Sequence, residues 1–173
     1  MKIGIISDVH DHIPNLLKAI KILNKEKVTK VFFCGDLCSP FTIKYFQGLK
    51  TPIAAVFGNN EGDKINILSR IKKYNLSIEY GAKQGLFYTN TIKDKKIGLF
   101  HGHVYELTEA LVNDSQYSLV LTGHTHKPHI KYLKNKVWIN PGSIHGFSDE
   151  FQNKPSLAIF NLITNKGNLI KIK

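Results

Sequence analysis

The sequence predicts an α/β fold in which two β-sheets pack against each other. Up to Tyr74, short apolar runs alternate with segments whose apolar residues recur at helical spacing. This alternation is typical of a parallel sheet built from right-handed crossovers. After Tyr74 the segments are mostly strand-like, which predicts a second, largely antiparallel sheet. The 173 residues are close to the length of one domain, so we expect a single domain over residues 1–173.

Three strand-loop-helix units account for the first half of the chain. The apolar run KIGIIS precedes IPNLLKAIKILNKEK, in which Leu16, Ile20 and Leu23 lie on one helix face. A second strand, KVFFCGD, precedes the predicted helix PFTIKYFQGL. A third strand, PIAAVFGNNEG, ends in a polar loop before the helical pattern KINILSRIKKY.

Strand-like segments fill most of the second half. They are GLFYTNTI, KKIGLFHGH, YSLVLTGHTH, HIKYLKNKVWINPGS, SLAIFNLI and NLIKIK. The stretch KYLKNKVWI is typical of a hairpin that turns at Lys134 and Asn135. No internal repeat and no linker rich in Gly, Ser or Pro interrupts the chain, which favours the single domain.

Composition and charge narrow the class of protein. No apolar run approaches the roughly 20 residues that span a bilayer, so we expect no membrane association. The start MKIGIISDVHD lacks the features of a signal peptide, which predicts a cytoplasmic protein. The net charge of +11 could attract nucleic acid. Because the lysines are spread along the chain without a dense cluster, a solvated lysine-rich surface is the favoured interpretation.

The two cysteines, Cys34 and Cys38, do not predict a metal site. A zinc site would need further Cys or His residues at ligand spacing, and the nearest histidines are distant in sequence. Thiols of an intracellular chain usually stay reduced. We therefore interpret Cys34 as a buried strand residue.

The histidines, in contrast, are clustered. Eight histidines placed at random in 173 residues would give fewer than one pair two positions apart. This chain has three such pairs, which are His10 with His12, His101 with His103, and His124 with His126. Chance alone does not account for this pattern.

Seven polar residues directly follow five of the predicted strands. They are Asp8 and His10, then Asp36, Asn59, His101, and finally His124 and His126. Ligands of α/β proteins gather at the carboxyl ends of strands. Each residue alone has an ordinary explanation, such as a helix cap for Asp36 or a turn for Asn59. Since five coincidences would be needed together, we predict one shared site.

The residue types indicate a metal centre. Two carboxylates, one carboxamide and four imidazoles suit Mn²⁺, Ni²⁺, Zn²⁺ or Fe better than Mg²⁺ alone or Cu(I). Seven ligands exceed the four of a closed zinc site and match two ions that share a bridging carboxylate. Such a pair attracts an anionic phosphoester and lowers the pKa of a bridging water, so that hydroxide forms near neutral pH.

In this order, the motifs SDVH, CGDL, GNNE, FHGH and GHTH resemble those of the calcineurin-like metallophosphoesterase superfamily. The length and the late NPGS motif look like its short, stand-alone phosphodiesterase branch. The resemblance covers essentially the whole chain and implies an αββα sandwich, in which helices flank two mixed sheets. It also implies two divalent ions, of which Mn²⁺ is the favoured identity, and hydrolysis of phosphodiester bonds.

Carried over by residue, the resemblance divides the ligands between two metals. It assigns Asp8, His10, Asp36 and His126 to one metal, and Asp36, Asn59, His101 and His124 to the other, with Asp36 as the bridge.

One departure from the family pattern concerns catalysis. Many members have a histidine directly after the metal-binding Asn, where it contacts the scissile phosphate and is thought to help the leaving group depart. This chain has Asn60 there, which can hydrogen-bond a phosphoryl oxygen but cannot donate a proton as an acid. His12 and His103 are further candidates for a phosphate contact or proton donor, and Glu61 is expected to orient a neighbour. His129 and His145 have no assigned role.

Two other functions stay open beside the phosphodiesterase. The superfamily includes a eukaryotic trafficking subunit that acts as a scaffold with a degraded metal site, but this chain keeps all seven ligand positions. A nuclease is compatible with the charge, yet larger nucleases of the family carry extra domains for which 173 residues leave little room. We therefore favour a small-molecule phosphodiester as the substrate and expect the segment GFSDEFQNK, Gly146 to Lys154, to contribute to specificity. Assembly into a homo-oligomer is left open.

Overall fold

The computed structural model describes residues 1–146 and 154–173 and contains two β-sheets flanked by helices. The first half contains β1 Lys2–Ile6, α1 Ile13–Lys25, β2 Lys30–Phe33, a 3₁₀ helix Thr42–Gly48, β3 Ile53–Ala55, α2 Lys64–Lys73 and β4 Ile78–Tyr80. The second half contains α3 Ala82–Gly85, β5 Phe87–Ile92, β6 Lys95–Phe100, α4 Tyr105–Asn113, β7 Leu119–Leu121, β8 His129–Leu133, β9 Lys136–Asn140, β10 Ser156–Asn161 and β11 Lys166–Lys171. The predicted αββα sandwich is confirmed.

The first sheet has six strands in the order β11-β10-β1-β2-β3-β4. Strands β1 to β4 run parallel, as the alternation of strands and helices predicts. Strands β10 and β11 extend the sheet beyond β1 as antiparallel neighbours. The carboxyl ends of β1, β2 and β3 therefore lie at the same edge.

The second sheet has five strands in the order β5-β6-β7-β9-β8. Its centre, β6, β7 and β9, is parallel, and only the outer strands β5 and β8 pair antiparallel. The prediction of a largely antiparallel second sheet was therefore wrong. The helix α4 connects β6 to β7 and allows them to run parallel, whereas β10 and β11 join the first sheet. The hairpin turn at Lys134 and Asn135 is confirmed, because β8 ends at Leu133 and β9 begins at Lys136.

Alternate strand residues form separate layers of the core. Ile3 and Ile5 of β1 face the second sheet and share a buried cluster with Leu121 of β7. Ile6 lies in the cluster on the opposite face of the first sheet, together with Leu23 of α1. This alternation follows from the two-residue repeat of a strand. The inward-facing residues of both sheets therefore pack together, and the two sheets lie face to face.

Three elements were not predicted from the sequence, namely β4 and the helices α3 and α4. The buried residues of α4 are Thr108 and Leu111, and Leu111 packs with Phe100 and Val120 on the outer face of the second sheet. The helix therefore forms the fourth layer. Among the described residues, none of the helices combines the length and apolar character needed to cross a membrane.

Candidate functional site

The parallel strands of both sheets end at a common edge, where their loops meet. The loops after β1, β2 and β3 carry Asp8, His10, Asp36 and Asn59, and those after β6 and β7 carry His101, His124 and His126. Main-chain hydrogen bonds connect these loops. Asp8 N donates to Gly35 O at 2.9 Å, and Gly123 N donates to His101 O at 2.7 Å.

Asp8, His10 and His126 form a first group at this edge. The Nε2 atoms of His10 and His126 lie 3.2 Å apart. The Nε2 atom of His126 is 3.3 Å from Asp8 Oδ1, and that of His10 is 3.7 Å from the same oxygen. One ligand atom from each residue lies within 4.8 Å of the others, so the three could hold a metal ion together.

Asp36 joins this group to a second one. Its Oδ2 atom lies 3.6 Å from His10 Nε2 and 3.4 Å from His101 Nε2. His101 Nε2 also lies 3.0 Å from Asn59 Oδ1. Asp8, Asp36 and His101 likewise have ligand atoms within 4.8 Å of one another. The carboxylate of Asp36 is therefore shared between imidazoles from both sheets.

His124 lies at the outer side of the second group. Its main-chain N donates to Asp8 Oδ2 at 3.0 Å, and its ring centroid is 5.2 Å from that of His101. The residue as a whole is exposed, but partial burial of its ring, together with the charge of His101, lowers its pKa. The structure thus places His124 beside the cluster. Its ring nitrogens do not come within ion-pair distance of Asp8 or Asp36, whereas those of His10, His101 and His126 do.

The distances fit divalent metal binding. Two ligands at about 2.1 Å from one ion and 90–120° apart are separated by roughly 3.0–3.6 Å. The separations in both groups, from 3.0 to 3.7 Å, are close to this range. In addition, Asp8 Oδ1 is buried without a hydrogen-bond partner among the described residues. Because a buried carboxylate oxygen without a donor is unfavourable, a bound cation would satisfy it.

The electrostatics also suit a cation. Burial would raise the pKa of Asp8, but the imidazoles of His10 and His126 outweigh it and hold the pKa below its usual range. Burial opposes ionisation of Asp36 as well, and His101 holds the pKa of that carboxyl low. Both carboxylates are therefore ionised at neutral pH, which is the state that binds a metal.

Five of the seven residues have left-handed backbone conformations. The φ angles are 55° at Asp8, 42° at His10, 59° at Asp36, 64° at His124 and 55° at His126. Such angles cost of order 1–3 kcal/mol for residues other than glycine and cluster at functional sites. The loops are therefore shaped to turn these side chains toward one another.

Two of the histidines are oriented through their second ring nitrogen. His101 Nδ1 is 2.7 Å from Cys34 O and must donate to it, so Nε2 carries the lone pair that faces Asp36. His10 Nδ1 lies 3.4 Å from Cys38 Sγ. Metal-binding histidines usually have such an outer partner, which fixes the ring.

Asn60 and Glu61 both support this arrangement. Asn60 donates to both oxygens of Asp36, from its main-chain N at 2.9 Å and from Nδ2 at 2.8 Å. Glu61 accepts hydrogen bonds from the main-chain N atoms of Leu37, at 3.1 Å, and Cys38, at 3.2 Å. Glu61 therefore orients the loop after β2, as expected.

The other candidates lie around the cluster. The His103 ring is 5.5 Å from the His101 ring, and its Nδ1 atom is buried without a hydrogen-bond partner among the described residues. Burial and the charge of His101 lower the pKa of His103. The His12 side chain accepts from Asn15 N and caps α1. Of the expected specificity segment, residues 147–153 lie outside the described residues.

Two residues beside the cluster were not predicted from the sequence. Cys38 contacts His10, although neither cysteine was expected near a metal. The His145 ring is 5.8 Å from the His10 ring. Like the seven predicted residues, His145 follows an apolar strand, KVWIN, and this signal could have identified it.

Comparisons with a family model, a curated relative and solved structures all lead to phosphoesterases or to proteins of the same fold. The model of the calcineurin-like phosphoesterase superfamily domain matches residues 1–165. A phosphodiesterase of Methanocaldococcus jannaschii is 37% identical over 150 residues, which are 85% of this chain and 86% of the relative. The solved structure of an archaeal phosphodiesterase superimposes with a TM-score of 0.89 at 34% identity and covers 99% of both chains. Vps29 of Entamoeba histolytica, solved with zinc, has a TM-score of 0.65 at 22% identity over the full length of both chains, which shows a shared fold alone.

Proposed function

Because the chain belongs to the calcineurin-like phosphoesterase superfamily and is a metal-dependent phosphoric ester hydrolase, we propose that it is a phosphodiesterase with a dinuclear metal centre. Its substrate is a small-molecule phosphodiester. The observation that carries the proposal is the position of Asp36, whose Oδ2 atom lies 3.6 Å from His10 Nε2 and 3.4 Å from His101 Nε2. A carboxylate in this position can bridge two ions.

The ligands divide between the two sides of Asp36. On one side Asp8, His10, Asp36 and His126 hold the first ion, and on the other Asp36, Asn59, His101 and His124 hold the second. The first set is supported by the group of Asp8, His10 and His126. The second is supported by the contacts of His101 with Asp36 and Asn59.

The two ions would neutralise charge on the phosphoryl group and activate water for attack at phosphorus. The chain supplies the positioning around them. Asn60, next to Asp36, donates a hydrogen bond to a phosphoryl oxygen, and His103 contacts the phosphoryl group through a hydrogen bond on the His101 side. The buried Nδ1 atom of His103, which lacks a partner among the described residues, supports this role.

Mn²⁺ is the proposed metal, because oxygen and imidazole donors without a thiolate suit it, and Ni²⁺, Zn²⁺ and Fe fit the same donors. A cytoplasmic location and assembly into a homo-oligomer stay predictions.

A non-catalytic scaffold of the same fold is the main alternative. The fold alone does not distinguish the two functions, since Vps29 shares it. The convergence of Asp8, Asp36 and His101 favours the enzyme, because a scaffold gains nothing from this cluster of carboxylates and imidazoles. Nuclease activity is the second alternative, and the charge of +11 is compatible with it.

The test is to replace the proposed bridge. We expect the wild type to bind two Mn²⁺ ions per chain and to hydrolyse bis(4-nitrophenyl) phosphate. Asp36→Asn keeps the size of the side chain but removes its charge. It should lose dinuclear binding and reduce turnover by more than about 100-fold, since even outer partners of metal sites contribute about 10–100-fold. Calorimetric metal titration and initial rates measure both effects.

Asp63→Asn is the matched control, because Asp63 caps α2 and Asn caps equally well. Normal turnover of Asp36→Asn would show that the bridge is misassigned. Metal binding by the wild type without hydrolysis of aryl diesters, cyclic nucleotides or monoesters would favour the scaffold, and preferential cleavage of DNA or RNA would favour the nuclease.

A further inference from the structure

A sixth loop reaches the same edge from β9, which runs parallel to β7. It contains the NPGS motif, and its polar groups hold it in place. Asn140 Nδ2 donates to Gly123 O at 2.7 Å, and Ser143 Oγ donates to Asp8 O at 2.9 Å. The main-chain N of His145 donates to the same Asp8 carbonyl at 3.0 Å. His145 is therefore held against the loop that follows β1.

The ring of His145 has an imidazole on either side. Its centroid is 5.8 Å from that of His10 and 5.6 Å from that of His12. His12 Nδ1 accepts a hydrogen bond from Asn15 N at 3.3 Å, so the hydrogen of the neutral ring lies on Nε2. Asn, Asp and Ser are the residues preferred at a helix N-cap. The helix itself therefore does not require a histidine at this position.

The guanidinium group that commonly binds phosphate is not available to an anionic substrate at this edge. The one arginine of the chain, Arg70, is used elsewhere. The guanidinium lies 4.4 Å above the Phe41 ring, and it donates to Asn66 Oδ1 and Tyr74 OH. A bidentate arginine contact, the common means of binding phosphate oxygens, is therefore not provided by this residue. Imidazole N–H groups beside the metal centre can supply hydrogen bonds instead.

We infer that His12 and His145 form a phosphate-binding subsite beside His10, in which their ring N–H groups donate hydrogen bonds to an oxygen of the substrate phosphoryl group. This inference rests on the proposed phosphodiesterase function and deepens it. His103 lies beside His101, at the other end of the cluster. The phosphoryl group would thus have imidazole donors at both ends of the metal centre.

Three variants distinguish the loss of a hydrogen-bond donor from a change in side-chain shape. His145→Phe keeps a ring but removes the donor, whereas His145→Gln keeps an amide donor. His12→Asn keeps a cap for α1 and removes the ring N–H. His129→Phe is the matched control, because His129 packs against Trp138, with ring centroids 4.7 Å apart, and has no role in the proposed site.

Binding of inorganic phosphate to the Mn²⁺-loaded protein is measured by calorimetry, and KM and kcat are measured with bis(4-nitrophenyl) phosphate. In His145→Phe and His12→Asn we expect the Kd of phosphate and the KM to rise about tenfold, the value of one hydrogen bond to a charged group. His145→Gln should recover part of this loss. The kcat and the Mn²⁺ affinity of the metal-free protein should stay within about twofold of the wild-type values. The reason is that the hydrogen bond stabilises the bound substrate and the transition state equally.

Unchanged phosphate binding in both His145→Phe and His12→Asn would overturn the subsite. So would weaker Mn²⁺ binding with unchanged KM, since the histidines would then position His10 and not the substrate. Absence of phosphate binding by the wild type would also overturn it. If the wild type binds phosphate and the variants weaken this binding, but no diester is hydrolysed, the subsite stands and the proposed function fails.

Discussion

Asn60 is the residue at which this chain departs from the family pattern, and it lies beside Asp36, the proposed bridge between the metal ions. Its main-chain N and Nδ2 atoms both donate to Asp36, at 2.9 and 2.8 Å. In this position Asn60 can stabilise the carboxylate or turn toward a phosphoryl oxygen. It cannot supply a proton to a departing alkoxide, because a carboxamide is not an acid in the accessible pH range.

The first prediction concerns the leaving group. General acid catalysis is worth about 10²–10⁴-fold and matters most for strongly basic leaving groups. The wild type should therefore hydrolyse aryl phosphodiesters far faster than alkyl diesters, because phenolate departs without protonation. Asn60→His should narrow this difference by accelerating alkyl diesters. The measurement is the dependence of the rate on leaving-group pKa at saturating metal.

Asn135→His is the control, since Asn135 lies exposed in the hairpin turn between β8 and β9. It should leave the aryl preference unchanged. A wild-type rate that hardly varies with leaving-group pKa would mean that another group, such as His103, already supplies the proton.

At the level of elements, glycines allow neighbouring loops to approach the side chains of the candidate site closely. Gly58 follows β3, and a Cβ atom there would lie 2.0 Å from Asp36 Oδ1. Gly123 follows β7, and a Cβ atom there would lie 1.9 Å from Ser7 Oγ. Any larger residue would displace the side chains beneath it. The loops can therefore converge only because these two positions lack a side chain.

The second prediction is that Gly58→Ala impairs metal binding more than folding. The added methyl group must displace the carboxylate of Asp36, which the proposal places between two metal ions. We expect a loss of Mn²⁺ affinity of about 10–100-fold, the effect of disturbing the support of a metal site. Far-UV circular dichroism should stay unchanged. Calorimetric titration measures the affinity.

Gly48→Ala provides the comparison, because a Cβ atom at Gly48 would meet only Ile20 Cγ2, at an ordinary 3.5 Å. It should bind Mn²⁺ as the wild type does. Equal affinities of the Gly58→Ala and Gly48→Ala variants would show that Asp36 is free to move and that the close approach has no consequence for the metal.

Across the whole molecule, one buried layer between the sheets holds the strand ends in register. Phe160 of β10 and Phe32 of β2 in the first sheet share this layer with Leu121 of β7 and Ile139 of β9 in the second. The site residues carried by the first sheet, such as Asp36, meet those carried by the second, such as His101, only while this layer is intact. The site therefore depends on the packing of the sheets.

The third prediction tests whether the chain unfolds as one domain. Phe160→Ala removes a fully buried ring and should lower the free energy of unfolding by about 3–5 kcal/mol. Although Phe160 lies in the first sheet, the fluorescence of Trp138 in the second sheet should report the same shift. Urea unfolding followed by this fluorescence and by far-UV circular dichroism checks the coincidence.

Ile163→Ala is the control at an exposed site just after β10, where 69% of the residue surface is accessible. Its effect should stay within about 0.5 kcal/mol. Separate transitions, with Trp138 unaffected by Phe160→Ala, would contradict the single domain.

Local sequence patterns were sufficient to predict the strands and helices up to Tyr74, because the spacing of apolar residues in these elements is visible over a few residues. They were insufficient for α4, whose few buried residues, Thr108 and Leu111, give a weak helical pattern. They predicted β10 as a strand but not the sheet that it joins, because the sequence of a buried strand does not identify its partner. Its pairing of Lys2 with Asn161 joins opposite ends of the chain.

The donor residues and their places directly after apolar strands could be identified before folding, because residue type and strand period are properties of a short stretch of chain. Their convergence could be inferred, since parallel strands end at one edge. The neighbours that complete the site could not be inferred from the sequence. His145 reaches His10 because β9 pairs beside β7, and Cys38 meets His10 because the two sit on loops of adjacent strands. Pairing and contacts of this kind join distant residues, so only the folded chain specifies them.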